Sequence, residues 1–304
     1  MEKIHHKQFY YKDGSFRVQL GNILYNLHLS LLADRSLVFR NMLTMPLPEG
    51  MVAEGQSDEN PMVLHPSIQP EEFDILMDYF FKGRNTGIPS LHYLTVLLKL
   101  STMWEIEDGR DYVIDMFPKR PDFTPALQFH LGYTYHITTW VEPAFRKLLA
   151  MPFSKITEEI AHLMGPDAFY ILSQTHTRIK THHSILAFYP SDPIHSIECL
   201  RSGKCEQAWA TEWWQGVAKH LLHPDLGKTG GEILEMLESV RIPGMCIDCQ
   251  RANMEWVKDT GVMTRADDFI EEAVAQIVAW YGSSSKGKST GSQQESRGED
   301  EGDT

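Results

Sequence analysis

Four cysteines carry the clearest chemical signal in this 304-residue chain. Cys199 and Cys205 flank Leu-Arg-Ser-Gly-Lys, Cys246 and Cys249 flank Ile-Asp, and all four fall within 51 residues. Thiolates are soft ligands, and two short pairs brought face to face can close a tetrahedron around one ion. That makes these four residues candidate ligands of a structural zinc ion. Gly203 lies inside the first pair and Gly244 just before the second, where a backbone free of Cβ can curl and turn two sulfurs toward one point. The competing reading is four small apolar residues of a core. A thiol–disulfide exchange role has less behind it, because no β-α-β pattern surrounds Cys246 and Cys249.

A second stretch spells a nucleotide motif. Gly282 to Ser289, GSSSKGKS, satisfies the phosphate-loop pattern G-x-x-x-x-G-K-[ST]. Such a loop works when a buried strand delivers it and a helix starts on its last residues, aiming backbone N–H groups at phosphate. Here an amphipathic helix with Phe269, Ala273, Ile277 and Trp280 on one face precedes it, and only polar residues follow. The match is read as chance, with Gly282 as the cap of that helix. His176, His182, His183 and His195 raise the idea of a metal-dependent enzyme, yet no HExxH occurs and HTRIKTHH reads as a solvated helix face. No G-x-S-x-G or kinase-like set is present, so no catalytic residue is nominated.

The elements that must position these residues fall into two textures. Phe16, Val18 and Leu20 alternate with polar residues, Gly21-Asn22 turns the chain, and Ile23 to His28 returns, which predicts a β-hairpin. From Ser30 the apolar spacing becomes helical and breaks at Ser36, a good N-cap. A polar loop over 49–60 leads to a short strand at Met62, a helix opened by Pro70-Glu-Glu and closed at Gly83, and helices at Leu91 to Trp104 and Asp108 to Phe117. The rest is predicted almost wholly helical to residue 281, with connections at Pro- and Gly-containing steps, Thr157 and Thr264 as caps, and Trp209, Trp213, Val217 and Leu221 as a core stripe. The expected class is α+β, with an arm over 1–12, a mixed domain over 13–120, a helical domain over 121–281 and a disordered polar tail over 282–304.

The mixed domain resembles a known family. DGSFRVQLGNILYNLHLSLLADRSLVFRNML, residues 13 to 43, resembles the start of a BTB/POZ domain, with His28 closing the second strand and a helix built on Ser36 and Phe39. QPEEFDILMDYFFKGR and LLKLSTMWEI are similar to later helices of that domain, so the resemblance spans about residues 13 to 120. The chain looks most like fungal BTB proteins, whose helical part similarly reads ITEE, LLHPD and GMC..C, matched at 156–159, 221–225 and 244–249. The resemblance implies a non-enzymatic protein-binding role, by self-association as a homodimer or by scaffold docking, through the face around Phe39, Met42 and Leu43. On helix amphipathicity Phe39 belongs to the core before it belongs to a contact. The family also implies an alternative, a substrate adaptor of a cullin-type ubiquitin ligase. Thr44 stands where those adaptors carry an acid, and Ser15 and Leu29 stand where the dimerising group often carries an Asp and a basic residue.

Composition argues against two classes of partner. The formal net charge is −13 and no basic block occurs, which argues against nucleic acid. The longest apolar stretch, Leu91 to Trp104, is interrupted by His92, Lys99 and Ser101, so no membrane span is expected. The opening residues lack the apolar segment of a secretory leader, giving the expectation of an intracellular protein, cytoplasmic or nuclear, with its cysteines as thiols or ligands.

Overall fold

The computed structural model describes residues 2–45, 53–84, 87–188, 192–223 and 228–287. Strands β1 (Ile4–Tyr10), β2 (Phe16–Leu20), β3 (Ile23–Leu27) and β4 (Met62–Val63) form a four-stranded sheet in the order β1-β3-β2-β4. The β2–β3 hairpin pairs Phe16 with Leu27 and Leu20 with Ile23, and its alternation turns Phe16, Val18 and Leu20 inward. Most of the expected arm takes regular structure. Residues 4–10 are an edge strand, parallel to β3, that buries only Phe9.

Helices α1 (Leu29–Arg35) and α2 (Leu37–Thr44) are separated by extended Ser36. Its hydroxyl accepts the Phe39 N–H at 3.2 Å and donates to the Trp104 carbonyl at 2.6 Å, so one buried side chain starts α2 and ties it to the chain 68 residues on. Helix α3 (Pro70–Lys82) opens with proline and a Gln69–Glu72 capping box and closes at Gly83. It meets the sheet where the Phe73 ring packs edge-on against Tyr25, and with α4 (Leu91–Met103) and α5 (Glu107–Met116) it buries Phe73, Leu76, Met77, Leu94, Leu97 and Val113. Contacts separate this part, Met1–Thr124, from a second unit, Pro125–Thr304.

The second unit is helical throughout its described residues. It comprises α6 (Pro125–Thr134), α7 (Thr138–Leu149), α8 (Glu158–Met164), α9 (Pro166–Phe188), α10 (Ser202–Glu212), a π-helical stretch Trp213–Ala218 running into α11 (Lys219–Leu221), then α12 (Gly230–Ser239), α13 (Ile247–Asp259) and α14 (Arg265–Gly287). Two hydrophobic cores form inside it. One gathers α6 to α8, the first half of α9 and α14 around Phe145, Leu148, Leu172 and Ile277. The other gathers the end of α9 with α10 to α13 around Trp209, Trp213, Val217, Ile233 and Val257. The Trp209–Leu221 stripe faces inward along its whole length. Four residues overshoot an α-turn of about 3.6, and the wider π turns bring the stripe back.

Three local expectations change. Helix α14 continues through Gly282 to Gly287, so Gly282 is no cap, and its described part has no loop that could wrap phosphate. Residues 288–304, including Ser289, lie outside the described residues. The His-rich part of α9 is not simply a solvated face: His183 is 8% exposed and His176 and His182 are half-buried, while Gln174, Thr177, Arg178, Lys180 and Thr181 meet solvent. Thr157 caps α8 through the Ile160 N–H, but the Thr264 hydroxyl donates to the Gly261 carbonyl instead of capping α14.

Candidate metal centre

The cysteines are delivered by three pieces of the second core. Cys199 sits in the connection between α9 and α10, Cys205 in the first turns of α10, Cys246 at the N-cap of α13 and Cys249 in that helix's first turn. Gly244 takes φ of +86°, a conformation other residues rarely adopt, and so turns the chain into Cys246. Gly203 contributes no such curl, being part of α10. The i, i+3 spacing of Cys246 and Cys249 puts both thiols on one side of α13.

The four sulfur atoms lie within 4.8 Å of one another, and no other group of three or more such ligand residues assembles among the described residues. Cys199 Sγ stands 3.7 Å from Cys205 Sγ and 3.8 Å from Cys246 Sγ. A disulfide needs about 2.05 Å, whereas metal–sulfur bonds of about 2.3 Å give a tetrahedron edge of about 3.8 Å. These two spacings are compatible with ligands that share one cation. Backbone N–H groups already serve the sulfurs: Cys246 N–H donates to Cys205 Sγ and Ser196 N–H to Cys249 Sγ, each at 3.3 Å. Donors of this kind stabilise thiolate charge.

Burial divides the set. Cys205 and Cys249 belong to the second core, while Cys199 and Cys246 are half-exposed against it. Burial pushes the Cys249 thiol up to about 12. The Cys249 thiol beside it holds Cys246 down to about 7. A cation bound by the set takes all four as thiolates. His195 Nδ1 lies 3.7 Å from Cys249 Sγ, a neighbour that sequence reading does not supply because 54 residues separate the two. A cavity of about 490 Å³ opens on Cys199, Cys205 and Cys246, with Arg201, Arg241 and Asp248 around it.

The residues expected to face a partner are placed differently from one another. Phe39 is in the core of the first unit, its ring 5.5 Å from that of Trp104, and drops out of any contact surface. Met42 is half-buried, and the side chain of Leu43 lies outside the described residues. Among the described side chains of α2 and its end, Leu37, Val38 and Met45 are the exposed apolar ones. The 3.6-residue period places Val38 and Met45 on the face of Met42. Among the described residues no helix is long and apolar enough to cross a membrane. Comparison with known proteins finds no matching family model, no similar curated protein and no similar solved structure.

Proposed function

We propose that this chain is a non-enzymatic protein-interaction protein. Residues 13 to 120 act as a BTB/POZ-like association module, and the helical part is tied by a structural zinc ion on Cys199, Cys205, Cys246 and Cys249. The observation that carries the structural-zinc half of the reading is the four-sulfur set, all within 4.8 Å of one another, with Cys199 at 3.7 and 3.8 Å from Cys205 and Cys246. Four thiolates complete the coordination of zinc and leave no position for water or substrate, which supports a structural centre over a hydrolytic one. The element order of the first unit is compatible with the resemblance, and its helix α2 offers Leu37, Val38 and Met45 as apolar surface.

The experiment has two readouts. Elemental mass spectrometry of the purified chain should return one zinc per chain, lost in the Cys246→Ser/Cys249→Ser double variant. Light scattering after size exclusion should show a dimer that Val38→Lys converts to monomer with an unchanged circular dichroism spectrum. A zinc-free parent removes the structural-zinc half of the proposal, and a monomeric parent removes self-association. Recovery of a cullin with tagged parent but not with Val38→Lys would replace self-association with the ligase-adaptor alternative.

A further inference from the structure

The cysteine centre is asymmetric in a way that a purely structural tie does not require. Two of its sulfurs, Cys205 and Cys249, are buried and each accepts a backbone N–H. The other two, Cys199 and Cys246, are half-exposed and stand 3.8 Å apart on a cavity that buried Cys205 also borders. That cavity is wide enough for a small oxidant, and its wall carries both signs of charge, Arg201 and Arg241 with Glu198 and Asp248. Metal-bound thiolates remain nucleophiles, and susceptibility to oxidation follows thiolate character and exposure.

Resting on the zinc reading, we infer that Cys199 and Cys246 form an oxidative modification site at which a hydroperoxide exchanges the metal tie for a disulfide between the same two segments. The Cys199 thiolate displaces hydroxide from hydrogen peroxide and becomes a sulfenic acid. The Cys246 thiolate then attacks that sulfur and a second hydroxide leaves. The two sulfurs lose two electrons, the peroxide gains them, and two protons from solvent complete two waters. Closing the bond moves the sulfurs together by about 1.7 Å, from 3.8 Å to a disulfide length of about 2.05 Å. Two ligands are thereby withdrawn and the cation is released.

The pairing decides the consequence. A Cys199–Cys205 bond would close a small loop within one segment and leave α13 untied. A Cys199–Cys246 bond joins residues 47 apart, the connection before α10 and the start of α13, so the second core stays tied after the metal has gone. Oxidation therefore converts a chelator-sensitive fold into a reductant-sensitive one.

The test uses the full-length chain with its zinc content measured first. Hydrogen peroxide is titrated in while released zinc is read with a chromogenic chelator, and peptides are mapped without reduction. The expected result is one zinc released per disulfide formed, with Cys199–Cys246 the dominant pair. Thermal melting should fall with chelator alone and hold with chelator after peroxide until a reductant is added. A chain that carries no zinc overturns the zinc reading and this proposal together. A zinc-loaded chain that yields Cys199–Cys205 or Cys246–Cys249, or that keeps its zinc, overturns this proposal alone. Differential thiol labelling of the parent gives the same answer without a variant: Cys199 and Cys246 should lose reactivity while Cys205 and Cys249 regain theirs on unfolding.

Discussion

At Ser36 a single hydroxyl serves two backbone groups that nothing else in the turn supplies. Ser36→Ala removes the cap on the Phe39 N–H and leaves the Trp104 carbonyl without that donor in a fully buried setting. Loss of a cap costs about 1 kcal/mol and an unpaired buried carbonyl a further 1 kcal/mol or so. Urea denaturation should therefore show a loss of about 2 kcal/mol. Gly230 is sensitive for another reason: a Cβ placed there would sit 1.6 Å from the Met263 carbonyl oxygen, a backbone atom that cannot swing away. Gly230→Ala should destabilise the second core by about 1–3 kcal/mol or more, read from the same denaturation experiment. The first effect is legible in the sequence, since Ser before a helical run is an N-cap signal. The second is not, because the crowding comes from a loop that only the folded chain brings near.

Among the elements, legibility follows how much of the burial pattern lies within one segment. The β2–β3 hairpin, α3 and the tryptophan stripe announce themselves because most of their apolar residues are buried at the matching period. Strand β1, Ile-His-His-Lys-Gln-Phe-Tyr, does not: it buries only Phe9 and is held by its β3 ladder and by side chains, with His5 and Tyr10 on Asp58 and His6 on Asp74. The C-terminal end of α14 is hidden in the same way, by Ser, Gly and Lys that carry no apolar period. At the candidate metal centre the cysteine set is readable from clustering and one CxxC, but His195 is not, since its link to Cys249 arises only when the α9–α10 connection folds over α13. In the zinc reading that contact makes His195 a positioning residue for Cys249. Neighbours of this kind typically contribute 10–100-fold in metal affinity. His195→Ala should weaken zinc binding by about tenfold or more in chelator competition. Its cobalt-substituted spectrum should keep four-thiolate features, which a change of ligand set would not.

Over the whole chain, an excess of acids and 14 histidines make the response to pH a property of where those histidines sit. Two in α9 matter most. His183 is held below its ordinary value by burial and then by neighbouring His182, and His176 by burial, with the Nε2 of each ring enclosed without a hydrogen-bond partner. A depressed histidine in the folded state means the unfolded chain binds the proton first. As pH falls below the unfolded value of about 6.5, proton uptake favours unfolding, and stability declines until the folded pKa is passed. The carboxylates held low in this chain, Asp58 and Glu72 among them, extend the loss only at more acidic pH. Between pH 7.5 and 5.5 the melting temperature should thus drop, and proton competition for bound thiolates adds to that drop in parent and variant alike. The drop should be smaller in His183→Gln, which fills similar space without a titrating ring. A parent whose melting temperature is flat across that interval, or a variant with the same slope, would mean that α9 takes up its protons folded, and that the enclosed rings are solvated more freely than their burial implies.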